Sequence, residues 1–381
     1  MAPSAVAPLA HARPNAAPAD AARPDAVPFA AAAARQARRV RLVFAAFGTV
    51  LVAGALASVA VGAVGIAPAQ VVAILAAQAG LSVPGVAFTD HEASVLLAIR
   101  LPRVLLSVVV GAGLAVSGAV MQGLFRNPLA DPGLVGVSSG AALGASGAIV
   151  LGAAAGAPAS AVLGPALVAA SAFAGGLVTT LVVYRVATQR GRTSVTTMLL
   201  AGIAVNALCG AGVGALVLFA DDGQLRDLTF WTLGSLGGAT WGALGVAAPL
   251  VGLSVAASPW LARSLDALLL GEAEARHLGV PTERVKAVAV TLAALSVAAA
   301  TAVAGLVGFV GLVAPHLVRL LLGPSHRALL PASALAGAAL LVLADLVGRT
   351  VLAPVEVPIG IVTAVAGAPF FLWLLMRARP D

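Results

Sequence analysis

The chain has 381 residues, of which 60% are apolar and 10% charged, and its mean hydropathy is +1.04. A soluble domain carries about 25% charged residues, so this composition identifies an integral membrane protein, expected from its long apolar runs to be all-α and polytopic, and excludes an extramembranous catalytic domain. The net charge of +7 would point to nucleic acid on a soluble chain, but here the basic groups stand in short loops between apolar runs, where they act as topology signals; no nucleic-acid partner is expected.

Residues 1–34 are Ala/Pro-rich, interrupted by Arg13, Asp20, Arg23 and Asp25, and lack the compact apolar core of a signal peptide. They are expected to form a disordered cytoplasmic extension, with the membrane domain at 35–381. Arg35, Arg38, Arg39 and Arg41 precede a first apolar run that ends near Ile66. Further runs fall at about 95–121, 133–155, 160–186, 194–219, 240–262, 285–301, 304–322, 328–347 and 358–376. A span needs roughly 20 apolar residues, so ten spans are predicted. If all cross, 18 of the 22 basic residues lie inside and only Arg100, Arg103, Arg226 and Arg349 outside. That bias places both termini in the cytoplasm.

The 42 glycines are abundant within the runs, where small residues allow close helix packing. Gly140 and Gly144, and likewise Gly210 and Gly214, are spaced to share a helix face. No internal repeat is evident, so an inverted-repeat secondary transporter gains no support. An ion-coupled transporter would also want carboxylates at the midplane, and the acidic residues of this chain fall near span ends.

The sole cysteine, Cys209, lies in an apolar run, so there is no disulfide framework. The sole lysine, Lys286, is not in a P-loop, so the chain is not itself an ATPase of that kind. No H-E-x-x-H, Cys cluster or His cluster supports a metal enzyme. GVSSG (Gly136 to Gly140) and GASG (Gly144 to Gly147) mimic serine-hydrolase and rhomboid patterns, the latter pairing Ser146 with His316. A nucleophile elbow requires a strand-turn-helix context that a membrane helix does not supply, and both patterns are common by chance in a Ser- and Gly-rich chain.

Three polar stretches remain. Arg100 and Arg103 frame RLPR at the outer end of the second span, with Arg349 at the outer end of the ninth. A guanidinium there suits either a carboxylate-bearing partner or snorkelling to lipid headgroups. Arg126 to Gly133 (RNPLADPG) forms a rigid cytoplasmic turn, with Asp131 as an N-cap and Pro132 at N1. Such a turn suits either pore closure or simple capping. Asp266 to Lys286 is the longest internal polar stretch, read as a short apolar turn ending at Gly271 and a polar helix from Glu272 to Leu278, closed by Gly279 and Pro281. It is either a protrusion shaped for a cleft on another protein or a solvated loop.

RLPR, GAGLAVSGAVMQGLFRNPLADPGLVGVSSGAALGA, MLLAGIAVNAL, LLLGEAEARHLGV, GFVGLVAPHLVR and EVPIGIVTAVAGAPFFLWLL occur in this order. Together they make the chain resemble, over about Arg41 to Arg379, the permease subunit of the iron-siderophore, heme and cobalamin class (FecCD-type) of ABC importers. NALCGA followed by Asp221 to Gly237 is most similar to the heme permeases. The resemblance implies a type II importer fold of ten helices per subunit in a homodimer. It further implies two copies of a separate ATPase, which carries ATP and Mg, and a periplasmic binding protein outside. No cofactor is expected on this chain, which would be a non-enzymatic, multi-pass protein of the bacterial inner membrane. The cargo implied is heme, with a ferric siderophore or cobalamin as the alternative.

By the same resemblance, Arg100, Arg103 and Arg349 dock the binding protein. Asn127 and Leu129, with Val195 and Thr196 opening the fifth span, form the cytoplasmic gate, Val195 being apolar where small polar residues are usual. Glu272, Ala273, Glu274, Ala275, Arg276, His277, Leu278 and Gly279 couple to the ATPase, within coupling helices at about 264–284. Met198, Asn206 and Cys209 on the fifth span line the pathway, which is otherwise mostly apolar and thus binds its cargo weakly.

Overall fold

A computed structural model describes residues 26–62, 64–154 and 160–377. Most of the predicted N-terminal extension lies outside these residues, although the first helix, α1 (Ala26–Ala60), already begins upstream of the boundary placed at 35. Next come α2 (Pro68–Gln78), then α3 (Asp90–Ser94), which runs through a π-turn (Val95–Arg100) into α4 (Leu101–Phe125). A 3-10 turn (Pro132–Val135) leads to α5 (Val137–Ala154) and α6 (Ser160–Ala187); a two-stranded hairpin of β1 (Thr188–Gln189) and β2 (Arg192–Thr193) then leads to α7 (Val195–Val217). The remainder is α8 (Asp222–Leu233), α9 (Trp241–Leu270), α10 (Glu272–His277), α11 (Thr282–Ala304), α12 (Val310–Leu322), α13 (His326–Thr350) and α14 (Ile359–Arg377).

Every predicted apolar run contains a helix. Among the described residues seven helices are long and apolar enough to cross a bilayer, while α5, α12 and α14 are shorter apolar helices. The 13 residues of α12 rise about 20 Å, less than a hydrocarbon thickness of about 30 Å. Its eighth predicted run, from 304 to 322, is interrupted because Gly305 (φ +68°) and Phe309 (φ +66°) leave the helical region. The released backbone is used: Ser235 N–H donates to Ala304 O at 2.8 Å, and Ile359 N–H donates to Gly234 O at 3.1 Å. The ends of α8 and α11 and the start of α14 are thereby tied together.

Two helices were not expected. The 11 residues of α2 are too few for a span. In α8 the signal was present: Gln224 N–H donates to Asp221 Oδ1 at 2.8 Å while Asp221 N–H donates to Gln224 Oε1 at 3.1 Å, a reciprocal capping box. A third departure concerns α9, which continues without a break to Leu270, so the short apolar turn expected after Asp266 is its last helical turn.

Helix α4 is the hub, packed against α9, α11, α12 and α13 and buried along most of its length. Glycine makes this approach possible. A Cβ on Gly118 would stand 1.7 Å from Gly311 O, and one on Gly111 would stand 2.3 Å from Gly337 O. The expected face of Gly140 and Gly144 packs likewise, against Gly175 and Ser171 of α6, whereas Gly210 and Gly214 meet nothing within 4 Å. Without a hydrophobic driving force between helices in lipid, such contact is a main source of cohesion.

A Gly118→Val variant is therefore expected to lose roughly 1–3 kcal/mol, the cost of overpacking, seen as a lower melting temperature of the purified protein in detergent. Gly48→Ala, where a Cβ meets nothing within 4 Å, should leave the melting temperature unchanged.

Candidate functional site

The three outer arginines are held inside the fold, not displayed on it. Arg100 is 4% exposed and spends its guanidinium on the C-terminal end of α1, donating to Val59 O at 2.6 Å, to Ala60 O at 3.1 Å and to Val64 O. Arg349 donates to Ser58 O and to Ser58 Oγ at 2.6 Å. Cations suit that position because the last carbonyls of a helix are unpaired and carry the negative end of its dipole. Arg103 donates from Nε to Asp345 Oδ1 at 3.0 Å and from Nη1 and Nη2 to the two Glu356 oxygens at 2.9 Å each. Each guanidinium expected to dock a partner is thus already engaged within the subunit. Of this cluster, Asp345 is buried, whereas the Glu356 side chain remains 49% exposed. Hydrogen bonds from Arg103 hold the Glu356 carboxyl below the usual carboxylate range, so it stays charged as the pH falls into that range.

On the cytoplasmic side the Arg126 to Gly133 turn is built by its own side chains. Arg126 takes a left-handed conformation (φ +51°) and ends α4. Asn127 Oδ1 accepts from Leu129 N–H at 3.0 Å, and Asp131 Oδ1 accepts from Gly133 N–H at 2.7 Å. Asp131 is an N-cap as expected, but of the 3-10 turn, with α5 starting only at Val137. Asn127 is exposed and Leu129 half-buried; α7 opens with Ser194 as its N-cap, Val195 half-buried and Thr196 exposed.

Helix α7 lies directly on this turn. A Cβ on Gly202 would stand 1.8 Å from Leu134 O, and Asn206 Nδ2 donates to Gly133 O at 3.3 Å while its Oδ1 accepts from Ser139 Oγ. Of the three expected pathway residues, Met198 and Cys209 are buried within the subunit, and Asn206 is engaged in fastening α7 to the turn. The open face of α7 carries Thr196, Leu200, Ile203, Ala207, Gly210 and Gly214, all exposed at alternating spacings of four and three residues, one stripe of a helix.

The polar segment after α9 folds as a knob. Gly271 (φ +130°) breaks the chain direction between α9 and α10. Ala275 is fully buried, its N–H donating to Gly271 O at 3.0 Å, while Ala273, Glu274, Arg276, His277, Leu278 and Gly279 are exposed, Leu278 at 65%. Glu272, half-buried, turns back. Lys286 Nζ donates to Glu272 Oε1 at 2.6 Å, to Glu283 Oε1 at 3.0 Å and to Thr193 O at 2.6 Å. Sequence reasoning missed this junction. Its signal was a lone lysine at the head of an apolar run, three residues after Glu283 and so on the same helix face.

Neither hydrolase pattern forms a site. Ser146 Oγ and both ring nitrogens of His316 have no hydrogen-bond partner, so the serine-histidine pair is not assembled, and Ser138, the serine of the GVSSG pattern, lies in the first turn of α5 with a 3-10 turn and no strand before it. No group of three or more His, Cys, Asp or Glu side chains among the described residues is placed to hold a metal ion.

Residues 50–377 match the model of the FecCD transport family. The hemin transport system permease protein HmuU of Yersinia pestis is 48% identical over 287 residues, covering 74% of this chain and 83% of that one. The cobalamin import system permease protein BtuC of Halobacterium salinarum is 47% identical over 73% of this chain and 72% of its own length. The vitamin B12 import system permease protein BtuC of Escherichia coli is 42% identical over 78% and 88%. Among solved structures, an inward-facing metal-chelate type ABC transporter superposes with a TM-score of 0.74 at 31% identity, covering 88% of this chain and 99% of that chain. With a helical membrane fold and matches spanning most of its length, the chain belongs to the FecCD transport family, as a multi-pass inner-membrane permease subunit of an ABC importer.

Proposed function

We propose that this permease conducts heme from periplasm to cytoplasm by alternating access, as one half of a homodimer. The observation that carries the cargo is the 48% identity to a hemin permease; the 47% identity to a cobalamin permease makes cobalamin the second reading, and a ferric siderophore is the third. The open stripe of α7 from Thr196 to Gly214 supports the dimer, since it is left uncovered while the opposite face is packed. Two such stripes facing each other form a mostly apolar conduit with Thr196 at its cytoplasmic mouth, beside Val195, Asn127 and Leu129 as gate residues. ATP and Mg are carried by the partner ATPase, which receives the knob from Glu272 to Gly279, and the outward-turned apolar side chains of the ten-helix domain contact lipid. Uptake of heme, cobalamin and a ferric siderophore into proteoliposomes, measured in parallel with the ATPase present, tests the cargo. Faster ATP-driven uptake of cobalamin than of heme would overturn the heme reading.

Docking of the binding protein is proposed to proceed by exchange. Arg103 is already paired, but its outer partner Glu356 is half-exposed and on a loop, so a carboxylate from the binding protein can replace it while Asp345 keeps the guanidinium in place. Arg100 and Arg349 hold the adjoining end of α1. Glu356→Gln removes the internal competitor and is expected to tighten binding of the partner, most clearly at low salt, whereas Arg103→Glu should weaken it. Affinity measured on reconstituted transporters at low and high salt checks both; unchanged binding in the two variants would leave Arg103 a purely structural residue.

The knob yields a further expectation. Proline at 275 removes the Ala275 N–H that bonds Gly271 O, costing about 3 kcal/mol or more for an interior position. Ala275→Pro should abolish ATP-driven uptake while the protein still inserts. Uptake at the wild-type rate would remove α10 from the ATPase interface.

A further inference from the structure

We propose that Lys286 is a strut that transmits displacement of α10 to the cytoplasmic end of α7, and so links the ATPase-facing knob to the gate. The inference rests on the reading of α10 as the helix that meets the ATPase.

Three separate pieces of backbone converge on one ammonium group. Glu272 is the first residue of α10, Glu283 lies in the first turn of α11, and Thr193 is the last residue of β2. An ammonium has three donors and no acceptor, and all three are used here, at 2.6, 3.0 and 2.6 Å. Lys286 is 1% exposed, so little water is available to take over a lost contact, and breaking one arm leaves a buried group unpaired. Thr193 is gripped from both sides, because its N–H also donates to Glu283 Oε2 at 2.8 Å.

What Thr193 carries makes the grip mechanical. The hairpin that it closes is short and internally braced: Thr188 pairs with Thr193, their hydroxyls are 2.9 Å apart, and Ser194 N–H donates to Ala187 O at 3.0 Å. The next residue, Ser194, caps α7, accepting from Thr197 N–H at 3.2 Å. From the strut to the first turn of α7 there is thus no flexible segment. Farther along, α7 is locked to the gate turn where Gly202 abuts Leu134 O and Asn206 holds Gly133 O. One path of contacts runs from α10 through Lys286 and Thr193 to α7 and on to Gly133 and Leu134, the end of the same turn that carries Asn127 and Leu129.

A buried lysine that only stabilised the fold would, when lost, lower the melting temperature and the amount of complex without changing how much cargo moves per ATP. A strut predicts a change in that ratio. In proteoliposomes containing the complex with its ATPase and heme delivered by the binding protein, Lys286→Met is expected to keep ATP hydrolysis within about twofold of wild type. Heme imported per ATP should fall by about tenfold, within the usual range for coupling between sites. Glu272→Gln, which weakens the α10 arm and with it only the longer 3.9 Å pair to Arg276, should lower the ratio in the same direction and add little to Lys286→Met, as expected for residues in one network. It also serves if Lys286→Met fails to assemble.

A second measurement does not depend on transport. With Cys209 replaced by alanine, spin labels at the exposed positions Gln189 and His277 report the distance between hairpin and knob. It should be narrow and equal with and without ATP in wild type, and broad or nucleotide-dependent in Lys286→Met. An unchanged import-to-ATP ratio together with an unchanged distance distribution would overturn the strut. Absence of ATP-driven heme uptake in the wild-type complex would instead overturn the proposed cargo, leaving the distance measurement to decide the strut.

Discussion

A charge enclosed between apolar helices must be paired, because its solvation is lost and nothing in the surroundings replaces it. The two ends of this molecule are organised by that constraint. At the outer end Arg103, Asp345 and Glu356 join α4, α13 and the loop before α14, while Arg100 and Arg349 close the carboxyl end of α1. At the inner end Lys286 joins α10, α11 and the hairpin. His326 also joins α13 to α9, by hydrogen bonding: its backbone N–H donates to Asp266 Oδ1 at 2.8 Å and its Nδ1 lies 2.7 Å from the same atom. Between these layers the helices are held mainly by shape, through contacts such as Gly118 on Gly311 and Gly111 on Gly337.

The division has an energetic logic. Backbone contact through glycine is cohesive only at one spacing and falls off steeply as helices separate. It therefore suits elements that keep a fixed relation, and α4 with its neighbours is such a body. Ion pairs tolerate small displacements better and can exchange partners at an exposed edge. They are found where this chain meets other proteins in the proposed reading, at Glu356 outside and at Glu272 inside.

Much of the architecture was legible because it depends on local signals. Long apolar runs gave the helices, the spacing of Gly140 and Gly144 gave a packed face, and Asp131 announced a cap. The face of α7 was not legible. The helix is apolar on all sides, so no contrast marks which side is covered, and Met198 and Cys209 proved buried while Thr196 through Gly214 stayed open. Nor was the state of the outer arginines, since the partners of Arg103 lie 242 and 253 residues away in the chain and topology says only on which side an arginine lies. α12 fell short of its predicted run because Gly305 and Phe309 adopt left-handed conformations; Phe309 lies so close to Gly367 that a Cβ there would stand 2.5 Å from its own, a tertiary contact that no local pattern announces.

The arrangement around α7 also limits how the proposed gate can move. Because Gly202 meets Leu134 with no side chain between them, α7 cannot slide past the Asn127 to Gly136 turn without a clash between backbones. Because Thr193 is bonded through both its N–H and its C=O, the start of α7 cannot swing away from the head of α11 without unpairing Lys286 or Glu283. Motion that opens the cytoplasmic mouth must then carry the turn, the hairpin and the lower half of α7 together. The upper half of α7 is packed on one side only: a Cβ on Gly210 or Gly214 would meet nothing within 4 Å, whereas one on Gly212 would stand 2.8 Å from Leu143.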